Sequence, residues 1–226
     1  TVAIRIPEGK ELFFLLLNNE TEPSVTTGNG YKTYTWELEN LPVIAGERFE
    51  AADHTGYPVL IFSTMEGYQP LFSFFTAQSA VSDKDYAVID EFVSRIVEEE
   101  KESTKILFAL QDAVVKEVNL FNVPEKYIGY KLRTPGQIWQ SNGGTVAEKA
   151  LLLTYMLKQA GIQAKLTLAF PEGLYNSQIG NLATLKEWLV CAEIPGKEKI
   201  FLSVNEKNAY DMKILMPEYI FLCFEK

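Results

Sequence analysis

The sequence predicts an α+β fold: part of a β-sandwich, then a domain in which a central buried helix packs on an antiparallel sheet. Three observations carry this. Residues 1 to about 75 hold short alternating or apolar runs separated by turn residues. Residues 86 to 160 hold runs whose apolar residues recur every three to four positions. After Gly161 the alternation of strands returns and continues to the end of the chain. The expected organisation is an all-β domain over 1–76, a linker over 77–84 and an α+β domain over 85–226.

In the first part, Val2, Ile4 and Ile6 alternate and "PEG" ends the strand as a turn. Phe13 to Leu17 is a five-residue apolar run, suited to a buried strand. "NNETEPSVTTGNG" is a polar loop. In "YKTYTWELEN" Tyr34, Trp36 and Leu38 share a face, and "YPVLIFST" is a further apolar strand. The small and polar residues of "TAQSAVSDK" mark the candidate boundary. Ser82 or Asp83 can then cap a helix carrying Tyr86, Ile89, Phe92, Val93 and Ile96 at helical spacing. Ile106, Leu107, Leu110, Val114 and Val118 predict a second helix over about Thr104 to Asn119. Thr134 followed by Pro135 opens a short helix through Trp139.

"SNGGTVAEKALLLTYMLKQAGIQAKLTL", Ser141 to Leu168, is the most informative stretch. Thr145 and Glu148 have capping-box spacing. The helix behind them is apolar nearly all round, which marks a buried one. Gly161 supplies a left-handed stop, Ile162 follows it, and Ala164, Leu166 and Leu168 begin a strand. Later strand candidates are Trp188 to Ile194, Lys199 to Val204 and Tyr219 to Phe224.

Composition narrows the function. The 226 residues carry a formal charge of −9, and the Lys197, Lys199, Lys207 group is interrupted by Glu198 and Glu206. Nucleic acid binding, which needs clustered cations, is excluded; a basic peptide or a neutral ligand fits the charge better. His54 is the only histidine, and Cys191 and Cys223 are the only cysteines, so no metal site and no cofactor is expected. The two thiols read as a disulfide or as two buried small hydrophobes, with the second favoured. No segment reaches membrane-spanning length. The start at Thr1, without Met or a signal peptide, reads as an excised piece or a processed product.

"GTVAEKALLLTYMLKQAGIQAKL" resembles the central helix of the transglutaminase-like superfamily, relatives of the papain-type cysteine proteases. Bacterial members read roughly Gly-x-Cys-x-Asp-Lys-Ala-x-Leu-Leu and then Leu-x-x-Ala-Gly-Ile-x-Ala. Gly144, Glu148, Lys149, Ala150, Leu152, Leu153, Leu157, Ala160, Gly161, Ile162 and Ala164 match. "RTPGQIWQS" is similar to the family's segment before the Cys. "YTWELENLPVIAGE" and "YPVLIFST" resemble the end of the β-domain that precedes such cores in Bacteroidetes-type proteins. The resemblance implies a transglutaminase-like, papain-like core, and a periplasmic or secreted bacterial protein. It also implies a catalytic Cys, His and Asp, and here the chain departs from it. The Cys position falls on Val146, the His position on about Glu187 and the Asp position on about Ser203, so the usual activity is expected to be absent.

Other chemistry is weighed on the residues themselves. A nucleophile at a helix N-terminus needs a base. Thr145 reads first as a cap, and Cys191 as a buried strand residue without a His. Glu148 and Glu187 form an acid/base pair only if the fold joins them; Glu148 reads first as the capping-box partner or in an ion pair with Lys149 or another cation. Asp53-His54 lies in a loop. Trp139 and Trp188 are the aromatic candidates for holding a peptide or glycan, with core packing as the plainer reading. The polar loop "FPEGLYNSQIGNL", with Tyr175, Asn176 and Gln178, is a candidate rim. The expectation is thus a catalytically inactive module with a binding or structural role, its binding residues drawn from Trp139, Thr145, Glu148, Glu187 and Trp188. The alternative is a hydrolase that uses carboxylates.

Overall fold

The computed structural model describes residues 1–41, 56–78, 86–205 and 211–224. The Asp53-His54 loop, the Ser82 or Asp83 cap, most of the 77–84 linker and the Glu206-Lys207 pair lie outside the described residues. The chain forms two units, Thr1–Leu71 with Gly173–Thr184, and Phe72–Glu172 with Leu185–Lys226.

The first unit is built from β1 (Val2–Pro7), β2 (Phe13–Leu17), β3 (Ser24–Gly28), β4 (Tyr31–Trp36) and β5 (Val59–Ser63). β1, β4 and β3 make one antiparallel sheet in that order, and β2 pairs with β5 in another. Alternation turns Ile4, Ile6, Tyr34 and Trp36 to one face, where they meet Leu12, Phe14, Leu16 and Leu60. Trp36 is 1% exposed and takes the Phe14 ring edge-on at 5.1 Å. The polar loop seen in the sequence is tied to this unit: Gly67 N–H donates to Gln178 O (2.9 Å), Gly180 N–H to Met65 O (3.1 Å) and Ser63 Oγ to Gly180 O (2.7 Å).

The all-β expectation to about residue 75 ends at Ser63, because Gln69–Gln78 is a helix, α1. Pro70 sits in its first turn, and Phe72 and Phe75 are buried. A short apolar run between polar residues suits a strand or a buried helix equally, and here packing chose the helix.

The second unit continues with α2 (Ala87–Glu99), α3 (Ser103–Glu117), β6 (Asn119–Leu120), a 3₁₀ turn (Glu125–Ile128), α4 (Pro135–Gln140), β7 (Gly143–Gly144) and α5 (Val146–Gln159). Then come β8 (Gln163–Pro171), β9 (Glu187–Glu193), β10 (Ile200–Leu202), α6 (Met212–Leu215) and β11 (Tyr219–Cys223). The last four strands form an antiparallel sheet ordered β10-β9-β8-β11. α5 packs against β8 and β9 and against α2, α3 and α4. Its burial follows from its composition: Ala147, Ala150, Leu152, Leu153, Met156 and Leu157 are all fully covered. The far face of the sheet buries Ala169, Leu189, Cys191 and Phe201 under Met212 and Met216.

The stop after α5 is a Schellman motif. Ile162 N–H reaches Leu157 O at 2.9 Å and Gly161 N–H reaches Lys158 O at 3.0 Å, with Gly161 at φ +77°. Ile162 and Leu157 are both buried, closing the apolar contact that accompanies the turn. Gly161→Ala is expected to lower stability by about 1–2 kcal/mol, the cost of a Cβ in the left-handed region. Urea denaturation reads it, and no loss of midpoint would contradict this account of the turn.

Candidate functional site

The N-terminus of α5 is assembled from four segments of the second unit. The short parallel pairing of β6 with β7 (Asn119 beside Gly143, Leu120 beside Gly144) brings the 119–125 segment to it. This explains the glycine pair: a Cβ on Gly143 would collide with the Phe121 ring. α4 approaches from the other side. Thr134 and Gln137 cap it reciprocally, with Pro135 at its first position.

The capping box on α5 is present. Thr145 Oγ1 accepts from Glu148 N–H (3.4 Å) and Glu148 Oε2 accepts from Thr145 N–H (3.0 Å). Glu148 is only 3% exposed, and its charge is met by Arg133. Arg133 Nε donates to Oε1 and Nη2 to Oε2, both at 2.8 Å, while Arg133 N–H donates to Oε1 at 3.0 Å. Arg133 also bonds Ser141 Oγ (2.9 Å) and Gly143 O (2.7 Å). One arginine thus ties the α4 entry, the Gly-Gly segment and the α5 cap together. Burial alone would raise the Glu148 pKa; the Arg133 bonds, the Thr145 N–H and the Arg133 charge outweigh it and hold the carboxyl below the usual glutamate value. The neighbouring Lys149 is also buried and donates to Val118 O (2.9 Å) at the end of α3. Burial depresses its pKa.

Val146 is the first residue of α5 and is half-buried. The next residue, Ala147, donates its N–H to Glu125 Oε1 at 3.3 Å. Glu125 therefore places a carboxylate at the helix end, where the dipole favours an anion. On the sheet, Ser203 Oγ donates to Glu187 Oε1 at 3.2 Å. Ser203 is 2% exposed and Glu187 is half-buried. The fold thus joins Glu187 with Ser203, and Thr145 with Glu148. Glu148 is committed to Arg133 and Thr145.

The two tryptophans have separate surroundings. Trp188 is 3% exposed, edge-on to Phe75 at 5.0 Å. Trp139 is half-buried, and its ring lies 5.0 Å from that of Phe92. Trp139 and Phe92 line a hollow of about 540 Å³ together with Val88, Glu91, Ser94, Arg95 and Glu98. Cys191 and Cys223 are free thiols. β8 runs between their strands, with Lys165 opposite Cys191 and Thr167 opposite Cys223, so their α-carbons stand at least two strand spacings apart, about 9 Å or more. A disulfide spans at most about 7 Å. The Cys191 thiol is pushed up by its hydrogen bond with Cys223 and by burial, and Cys223 is drawn down by the same bond. Among the described residues no group of His, Cys, Asp and Glu could hold a metal ion.

Arg133, Glu125 and Phe92 complete these arrangements; the sequence places Phe92 on the apolar face of its helix and Arg133 in "RTPGQIWQS", but marks none of the three as a site residue. Arg133 stands 15 residues before Glu148, a spacing that no helix or strand period relates.

No protein-family model and no curated protein matches the chain. Solved structures do. A protein of Parabacteroides distasonis ATCC 8503, provisionally described as a protease, superposes with a TM-score of 0.79 at 23% identity over 89% of this chain. The chain spans 39% of that protein's length. Legionella pneumophila LapG aligns at TM-score 0.42 and 16% identity over 68% of this chain and 81% of its own. The periplasmic domain of TgpA from Pseudomonas aeruginosa aligns at 0.40 and 9%, over 96% and 72%. The fold is α+β: a buried central helix packs on an antiparallel sheet.

Glu148 makes stability depend on pH. Its folded pKa lies below the unfolded value, so the unfolded chain takes up the proton first as pH falls. The contribution is full above about pH 4.3, the ordinary glutamate value, and is lost as pH drops through the folded pKa. Glu148→Gln is expected to cost about 3 kcal/mol near pH 7, the low end for a broken buried pair because Arg133 reaches solvent. It should also flatten the acid limb of a urea-stability profile. A limb identical to wild type would refute this role.

Proposed function

We propose that this chain is a catalytically inactive transglutaminase-like module that serves binding or structure within a larger bacterial protein. The observation that carries the reading is at the start of α5. A hydrocarbon side chain, Val146, stands at the helix end, and the adjacent Ala147 N–H is taken by the Glu125 carboxylate. A thiol nucleophile gains there from the dipole and from free N–H groups that can stabilise an oxyanion. Val146 supplies no nucleophile, and Glu125 fills the anion's place with a group from the chain itself.

On this reading the family's Cys, His and Asp positions correspond to Val146, Glu187 and Ser203. The Ser203–Glu187 hydrogen bond supports the last two as cross-strand neighbours. His54 is the sole histidine and precedes the whole core, so no imidazole follows the helix. Thr145, Glu148 and Trp188 serve structure, as cap, ion-pair partner and core ring, while Trp139 faces the ligand. The carboxylate-hydrolase alternative loses its acid, because Arg133 keeps Glu148 ionised and an acid catalyst needs a raised pKa. A larger parent protein is supported by the 39% span of the Parabacteroides distasonis structure. A periplasmic or secreted location rests on the family resemblance; among the described residues no helix is long and apolar enough to cross a membrane.

The test is turnover. Peptide and glutamine-amide substrates incubated with the chain, followed by mass spectrometry, are expected to show no hydrolysis or acyl transfer. Cys191→Ser and Cys223→Ser should leave that baseline unchanged. Turnover abolished by either substitution would sink the reading.

A further inference from the structure

We propose that the hollow between α2 and α4 is a docking site for a peptide segment bearing lysine or arginine. This deepens the binding-module reading and rests on it. Val88, Glu91, Phe92, Arg95 and Glu98 recur at helical spacing, so they form one stripe along α2. Trp139 of α4 packs on Phe92 of this stripe, and the two rings line a hollow of about 540 Å³ with the other stripe residues. A second hollow of about 280 Å³ shares Ser94 and Glu98 and adds Asp90, Val93, Val97 and Gln159. The two hollows flank the Ser94–Glu98 ridge of α2, the first against α4 and the second against α5.

Charge selects the occupant. Among the described residues Glu91 and Glu98 line the first hollow against one cation, Arg95, and Glu98 also borders the second beside Asp90, which accepts from Tyr155 Oη at 2.8 Å. Glu99 at the end of α2 and Glu100 and Glu102 just beyond it add to the acidic field, offset by Lys101 and by Lys105, which lies 4.0 Å from Glu102. An anionic partner would be repelled. The aromatic floor adds to the attraction, since a cation within about 6 Å of a ring face is drawn to it. The Arg95 guanidinium already lies 5.4 Å from the Phe92 ring centroid. A partner's lysine or arginine would lay its methylenes on Trp139 and Phe92 and turn its head to Glu91 and Glu98. A neutral glycan would stack on the tryptophan and donate hydroxyls to the carboxylates, but would gain nothing from the net negative charge.

The experiment titrates the whole chain with hexalysine, hexaglutamate and cellohexaose by calorimetry, with mass spectrometry on the same mixtures. Hexalysine alone is expected to bind. Trp139→Phe keeps the packing and should weaken it about threefold, and Trp139→Ala about tenfold or more. The double variant Glu91→Gln, Glu98→Gln should weaken it about tenfold and reduce its salt dependence. Glu8→Gln with Glu22→Gln, acidic positions in the other unit, should leave it unchanged. Equal loss in this control pair would mean attraction to net charge alone and would overturn the proposal. Binding of cellohexaose but not hexalysine, or of neither, would overturn the cationic assignment while leaving the inactive-module reading in place. Cleavage of hexalysine would instead overturn that reading itself.

Discussion

The bidentate pair between Arg133 and Glu148 is the contact on which the start of the central helix depends. Glu148 is buried, and a buried carboxylate without a partner would take up a proton or open the structure. Arg133 prevents both. Its backbone N–H and its guanidinium share the two carboxylate oxygens, and its remaining donors reach Ser141 and Gly143. Because α4 begins just after Arg133 and α5 begins just after Gly144, one side chain sets the spacing of both helices. The glycine pair lets Phe121 close over the same point. Buried charge here serves geometry. Leu or Met would fill the volume at less desolvation cost, but neither would specify which backbone segments converge.

That geometry makes the helix end suitable for holding a negative charge. In this chain the charge comes from Glu125, reached through the short β6-β7 pairing. The first turn of the helix is thus partly capped by a side chain from another segment. Where α2 meets α4, Trp139 is only half-buried and packs on Phe92.

Much of the fold was legible from local patterns. The Thr145–Glu148 capping box, the Thr134–Pro135 helix start and the Gly161-Ile162 stop are short-range signals with a fixed backbone meaning, and all three are present. The last three strands fell within a residue or two of their alternating runs, while β8 runs three residues past Leu168 and takes in Phe170 and Pro171, which read as the start of a polar loop. α1 was missed because "QPLFSFF" has neither a clean alternation nor enough length to fix its period. The cysteine ambiguity was also beyond local reading. It is removed by strand order, since β8 separates the strands that carry the two free cysteines.

The sequence by itself determined that Val, and not a thiol, begins the central helix, that no histidine follows it, and that the helix is buried. These are matters of residue identity and helical period. Only the tertiary structure decided that Glu148 is neutralised by Arg133, that Glu125 reaches Ala147, that Ser203 bonds Glu187, and that Trp139 meets Phe92 while Trp188 is sealed in the core. Each of these joins residues from separate elements. Their proximity comes from strand order and helix packing, which no period along the chain records.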